Sequence, residues 1–396
     1  MDAAHPPIIT EAAGVSALVE RVRDAGQLAI DFEFLWERTY APLPCLAQVA
    51  CEGRIDLVDP IAGAPLEPLA ALVADPEILT IMHAPSADLT LLGMQFDELP
   101  ANLLDVQLIA GFVGLGAGQG LSTLLARVLD VRLDKGEQYT DWRRRPLSDK
   151  QIEYARADVA YLDALVTTLL EQAGALGRAD WVAEEHERRY GPGQRWVPDP
   201  DESWRKVKGQ GKLSARDRSV LQCLARWREI RAQERDRPAA WLLPDRTLIE
   251  IARRKPTSAD RLLRERGVPE RMPRDDIEAI LAAVAEGRDA EPVKLPAPVS
   301  SEYQGRLETL VGLGQILVAG RAATEGLAPS LLATRDEVES FLADAIGARS
   351  VPDSPLATGW RFAFAGAPLR DLAEGRIALA AGSTPPYLRE IARAPE

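Results

Sequence analysis

Asp31, Glu33, Asp88, Tyr154 and Asp158 are the side chains whose types and spacing could do chemistry together. From Leu28 to Phe34, apolar Leu28, Ile30, Phe32 and Phe34 alternate with Asp31 and Glu33 in the opposite phase. A period of two marks a strand, and residues two apart on a strand share a face, so the two carboxylates should stand side by side. Such a pair repels itself unless a cation or a shared proton relieves it. Taken alone, an exposed strand face explains it equally well. Asp88 lies in the stretch from His83 to Leu89, directly after an apolar run, where its plainest role is to support the start of a helix. Tyr154 and Asp158 are four apart, so a helix would place them one turn apart on one face, with Arg156 and Asp163 pointing elsewhere. A core tyrosine and an aspartate paired with Arg143 or Arg144 would account for that segment by itself. The order Asp-x-Glu, Asp, Tyr-x-x-x-Asp gives three weak signals their joint weight.

The elements that must position these residues are legible from period and punctuation. Cys45–Cys51 and Arg54–Val58 read as strands joined by a tight turn at Glu52-Gly53, and Ile78–Met82 as a further strand. Leu66–Val73, Ala87–Met94, Leu104–Phe112 and Leu121–Leu129 read as helices. Ser148 and Gln151 have the spacing of a capping box, which predicts a helix from there to about Glu171. Asp105 is expected to cap a helix, and His83 to be structural. The Gly-rich run at 114–120 lacks the Lys-Ser/Thr of a phosphate loop and reads as a helix connection.

The chain of 396 residues is long enough for two or three domains. No apolar run approaches the roughly 20 residues of a membrane span, and the first residues carry no targeting pattern, so a cytoplasmic location is expected. Cys45, Cys51 and Cys223 form no metal-site pattern and read as reduced core residues. The net charge of −13 argues at first against a nucleic-acid partner, but it is unevenly spread. Residues 1–193 are strongly acidic, 194–290 net basic and 291–396 mildly acidic, so a segment that could hold cations precedes one that could hold phosphates.

With those stretches in view, the chain resembles the ribonuclease D family, within the tyrosine-containing branch of the DEDD exonucleases. The resemblance is carried by AIDFEFLWERTYAPLPCLAQVA, IMHAPSADL and LDKGEQYTDWRRRPLSDKQIEYARADVAYL. Phe32 departs from it, standing where a small residue is common, as do Pro85 and Ala87. It implies an RNase H-like α/β exonuclease domain in which Asp31, Glu33, Asp88 and Asp158 hold two divalent ions, Mg²⁺ or Mn²⁺, while Tyr154 orients the attacking water. Hard oxygen donors suit both metals. The region 212–287 resembles an HRDC domain, and about 301–380 resembles a second, diverged copy. The expected organisation is an exonuclease domain over 1–193, a linker over 194–211, an all-α HRDC bundle over 212–290, a second HRDC-like bundle over 299–382 and a tail over 383–396. Cutting near residue 200 is expected to leave a unit that still trims short RNA.

The resemblance implies a metal-dependent 3′–5′ exoribonuclease that releases nucleoside 5′-monophosphates, with tRNA precursors as the leading substrates. Lys206, Lys208, Lys212, Arg253, Arg254 and Lys255 are the expected contacts to RNA phosphates. No obligate protein partner is evident. The rivals are an exonuclease acting mainly on DNA, a catalytically silent RNA-binding protein and a basic helical adaptor for a protein partner.

Overall fold

The computed structural model describes residues 6–133, 140–295, 299–351 and 353–393. Residues 134–139 of the third motif stretch, 296–298 of the Pro-rich break and 394–396 of the expected tail lie outside the described residues.

A first helix, α1 (Ala12–Ala25), precedes strands β1 (Gln27–Leu35), β2 (Leu43–Cys51) and β3 (Arg54–Val58). Glu52 and Gly53 both take positive φ, the geometry of a two-residue hairpin turn whose twist matches its strands. Then follow α2 (Glu67–Val73), β4 (Leu79–Met82), α3 (Ser86–Phe96), β5 (Leu103–Asp105), α4 (Val106–Phe112) and α5 (Leu121–Val128). The sheet runs β3-β2-β1-β4-β5, with β1 to β3 antiparallel neighbours and β4 and β5 parallel to β1. β1 is central, and its apolar phase is buried: Leu28, Ile30 and Phe32 are each at most 5% exposed.

The helix expected from Ser148 to Glu171 is two helices, α6 (Asp149–Ala160) and α7 (Leu162–Ala175), parted at Tyr161. Each follows a different surface: α6 lies on β2 and β3, whereas α7 lies on α4 and α5. The capping box that opens α6 is present, with Ser148 accepting from the Gln151 N–H and the Gln151 side chain accepting from the Ser148 N–H. The stretch expected as a helix from Leu104 begins as β5, because Leu103, Leu104 and Asp105 pair with Thr80, Ile81 and Met82. α8 (Ala179–Tyr190) closes this part.

The stretch expected as a linker, 194–211, is partly built into the next domain. Trp204 and Val207, each 2% exposed, belong to its core because apolar side chains at these positions face α9 (Ala215–Glu234). The domain continues with α10 (Ala239–Leu242), α11 (Asp245–Arg254), α12 (Ala259–Leu263) and α13 (Arg274–Asp289), the last packed along α9. It touches the exonuclease part through Tyr40, whose hydroxyl donates to Glu229 at 2.9 Å and whose N–H donates to Asp236 at 2.9 Å.

The last region comprises α14 (Ser301–Glu325), α15 (Pro329–Leu332), α16 (Arg335–Ala345), α17 (Gly359–Arg361), a π turn at Phe362–Gly366 and α18 (Ala367–Ala373). It is not all-α, and the expected tail is not featureless: β6 (Ile377–Ala381) pairs antiparallel with β7 (Leu388–Ala392). The pairing satisfies the backbone groups of both strands, none of whose side chains is fully buried.

This region shares one hydrophobic core with α4, α7 and α8. Trp360 stacks on Trp181 at 4.9 Å and meets Phe112 edge-on at 5.4 Å. Beneath them the fully buried Glu185 accepts from Arg188, Arg189 and Arg361. Burial pushes the Glu185 carboxyl up, but the guanidiniums of Arg188, Arg361 and Arg189 outweigh it and hold the pKa at about 2. A cut near residue 200 would therefore strip Phe112 and Trp181 of Trp360 and leave Glu185 without Arg361, and the exonuclease part is expected to be destabilised as a separate unit. Arg361→Ala, which leaves the buried Glu185 short of one cation, is expected to cost about 3–5 kcal/mol, read as a lower urea midpoint with unchanged slope.

Candidate metal centre

Three elements converge on a cavity of about 550 Å³ lined by Asp31, Glu33, His83, Asp88, Tyr154 and Asp158, together with Phe32, Phe34, Leu133, Ala157 and Gly120 to Ser122. β1 supplies Asp31 and Glu33 from one face, as its period requires. Its pairing with β2 shifts register between Glu33 and Phe34, a bulge that turns the strand where the acids end. α6 supplies Tyr154 and Asp158 one turn apart, near enough for each to act on the ionisation of the other. α3 supplies Asp88 from its first turn, 6% exposed.

One carboxylate oxygen from each of Asp31, Glu33 and Asp158 lies within 4.8 Å of the others. Asp88 lines the same cavity outside that tightest group, close enough for its charge to act on Glu33. Phe32 points to the core side, 5% exposed, so the larger residue between the two acids is absorbed by packing. Neither Arg143 nor Arg144 pairs with Asp158: Arg143 is bound to Asp141 at 3.1 Å, and Arg144 does not line the cavity.

The crowding is expressed in proton affinity. Burial, then Asp31, Asp158 and Asp88, raises Glu33 to about 9. Burial raises Asp31 to about 7, and burial followed by the Asp31 charge raises Asp158 to about 8. Burial, then Asp31, raises Asp88 well above the carboxylate range. Burial and the neighbouring acids also push Tyr154 above its ordinary value, so its hydroxyl remains a donor at neutral pH. A nest of half-buried to buried carboxylates with no Lys or Arg lining it among the described residues matches the donor chemistry of a hard divalent cation.

These shifts fix a pH dependence. Acids whose pKa is raised by folding bind more protons folded than unfolded between about 4 and 9, so stability falls as pH rises through that window. The protein in a chelator is therefore expected to melt at progressively lower temperature from pH 5 to pH 9, and Mg²⁺ or Mn²⁺ should recover most of the loss at the alkaline end. A flat melting profile in chelator would show that the carboxylates are relieved in some other way.

Asp105 caps α4, as expected, and does more. It accepts from the N–H groups of Gln107 and Ala84, each at 2.9 Å, and from the Tyr190 hydroxyl at 2.8 Å. Ala84 has φ of +53°, so this bond holds a strained residue between His83 and α3. His83 bonds through Nε2 to the Gln119 carbonyl at 2.9 Å. The Gly-rich connection thus ends against the site, and Gly120, Leu121 and Ser122 line a cavity to which sequence reasoning did not assign them. A glycine run carries no periodic signal that would place it there.

The basic residues singled out from sequence lie elsewhere. Lys206 and Lys212 end short 3₁₀ turns, and Lys208 precedes the second of them. Arg253 and Arg254 end α11, where they pair with Glu250, and Arg254 also with Glu265 at 3.3 Å. Lys255 pairs with Asp217. None of the six lines the acidic cavity, and neighbouring acids offset the charge of the last three.

Comparisons with known proteins agree with this layout. A family model described as 3′-5′ exonuclease matches residues 6–173, and one described as HRDC domain matches 217–284. Ribonuclease D of Gluconacetobacter diazotrophicus is 35% identical over 96% of this chain and 95% of its own length. Ribonuclease D of Zymomonas mobilis is 33% identical over 94% and 95%. The crystal structure of Escherichia coli ribonuclease D, described as an exoribonuclease involved in structured RNA processing, superposes with a TM-score of 0.79. It is 29% identical over 93% of this chain and 98% of that one. Sequence likeness along nearly the whole length and a shared exonuclease and HRDC arrangement place the chain in the ribonuclease D family of 3′–5′ exoribonucleases.

Proposed function

We propose that Asp31, Glu33, Asp88 and Asp158 hold two divalent cations, Mg²⁺ or Mn²⁺, against the terminal phosphodiester of an RNA 3′ end. The observation that carries this reading is the meeting of three half-buried carboxylates within 4.8 Å. Such ions would activate a water and offset charge on the departing oxygen. The chain's own side chains do the rest. Asp31, Glu33 and Asp158 set the donor positions, and Tyr154, one helical turn from Asp158 and lining the same cavity, holds the incoming water in line. Attack at phosphorus with loss of the 3′ oxygen of the preceding nucleotide releases a nucleoside 5′-monophosphate.

The substrates we favour are tRNA precursors with extra 3′ nucleotides, acted on in the cytoplasm. Among the described residues no helix is long and apolar enough to cross a membrane. Lys206, Lys208 and Lys212 are the better-placed of the expected phosphate contacts, since Arg253, Arg254 and Lys255 are engaged with acids. The region from α14 onward we read as a second HRDC-like unit: a long helix, a four-residue helix and one of 10 or 11 residues follow in the same order as α9, α10 and α11.

The test is a gel assay on 3′-extended RNA and DNA of one sequence, with Mg²⁺, Mn²⁺ or chelator. RNA should shorten from its 3′ end in either metal, faster than DNA, and stay intact in chelator. Faster trimming of DNA would move the substrate assignment to repair or proofreading chemistry.

A further inference from the structure

A second cavity, of about 660 Å³, opens between the end of α8, residues 194–196 and the stretch 353–358. It is distinct from the acidic one in chemistry. Its charged lining consists of Arg188 and Arg189 with a single acid, Asp353. Both guanidiniums are anchored on the buried Glu185, Arg188 through Nε and Nη2 and Arg189 through Nε, at 2.5–2.9 Å. Nη1 of Arg188 and both terminal nitrogens of Arg189 have no hydrogen-bond partner among the described residues. Beside them Tyr190 and Trp196 stack at 6.0 Å and 19°, forming an aromatic wall. Pre-oriented arginine forks take phosphate oxygens, and aromatic faces take bases of any identity.

Position relates this cavity to the other. Ser86 lines it, while Asp88, two residues on, lines the acidic cavity, so the first turn of α3 separates them by about one helix diameter, roughly 10 Å. Tyr190 also donates to Asp105, which holds Ala84 in the loop leading into α3. In a part of the chain that is strongly acidic, a strand approaching the carboxylates needs local cations to stay bound.

We propose that this cleft is a nucleotide subsite for the substrate strand, in which Arg188 and Arg189 hold a backbone phosphate upstream of the reacting 3′ end and the Tyr190–Trp196 wall supports a base. The proposal rests on the RNA-trimming activity described above. It assigns strand-holding to the seam between the exonuclease part and the last helical region, whereas the basic HRDC surface would serve the distant body of a structured RNA.

The test compares kcat/KM in Mg²⁺ for an unstructured RNA of on the order of ten nucleotides with that for a dinucleotide, a length range set by single-strand sites. The proteins are the intact chain, Thr358→Glu, Thr358→Lys and Trp196→Ala. Thr358 is an exposed lining residue, so a charge placed there leaves the Glu185 cluster whole. The ratio of long to short is expected to fall about tenfold in Thr358→Glu and in Trp196→Ala, the size of one lost phosphate or stacking contact, and to hold or rise in Thr358→Lys. A ratio unmoved by all three variants, or moved the same way by Glu and Lys, overturns the subsite while the exonuclease reading stands. Absence of hydrolysis of both RNAs by the intact chain overturns the two together.

Discussion

Asp31→Asn, Glu33→Gln, Asp88→Asn and Asp158→Asn are each expected to lower RNA turnover by about 10³-fold or more, since metal ions supply several kcal/mol of charge stabilisation. The same changes should leave the fold intact and raise the melting temperature in chelator. Both effects have one cause. Burial and mutual repulsion lift Glu33 to about 9 and Asp158 to about 8, so the cluster is held together at a cost in stability that a neutral isostere removes. The gain at alkaline pH should be larger for Glu33→Gln than for Asp31→Asn or Asp158→Asn, because Glu33 sits at about 9, above Asp31 at about 7 and Asp158 at about 8. A variant that is both inactive and less stable would instead have lost a structural contact. Near-normal turnover at saturating metal would remove that residue from the proposed site.

Tyr154→Phe is expected to cut turnover by about 10²-fold, the effect of losing one positioned hydrogen-bonding group near a transition state. Metal affinity should change little. The ring packs beside Trp142 at 6.1 Å and is unaffected by loss of the hydroxyl, so stability should hold. Because its pKa lies above the ordinary tyrosine value, the hydroxyl stays protonated at neutral pH, which suits the orienting part proposed for it rather than that of a base. A shift in the metal concentration needed for half-maximal rate, with the maximal rate preserved, would mean that Tyr154 acts by placing Asp158 as a ligand. Full activity would make it a core residue.

The site was legible in the sequence because its parts obey local periods. Asp31 and Glu33 share a face by strand geometry, Tyr154 and Asp158 by helix geometry, and the capping box at Ser148 fixes where that helix starts. The hairpin at Glu52-Gly53 was equally plain, since its two positive φ values suit a short turn. What escaped depends on contacts between distant segments. The break at Tyr161 reflects α6 and α7 lying on different surfaces, and no residue there announces it. Asp105 reads as a cap, but its bonds to Ala84 and Tyr190 join residues 21 and 85 positions away. The packing of Trp360 and Arg361 against Trp181 and Glu185 is of the same kind. It makes the first and last regions one structural body, a relation that helix periodicity alone does not reveal.

The most direct measurement is the identity and metal dependence of the product released from a 3′-extended RNA, read by mass spectrometry for the intact chain and for Asp31→Asn. Nucleoside 5′-monophosphates should accumulate with Mg²⁺ or Mn²⁺, stop in chelator and be nearly absent with Asp31→Asn. Release that continues in chelator, or that Asp31→Asn sustains at the intact chain's rate, would place the chemistry outside the carboxylate cluster.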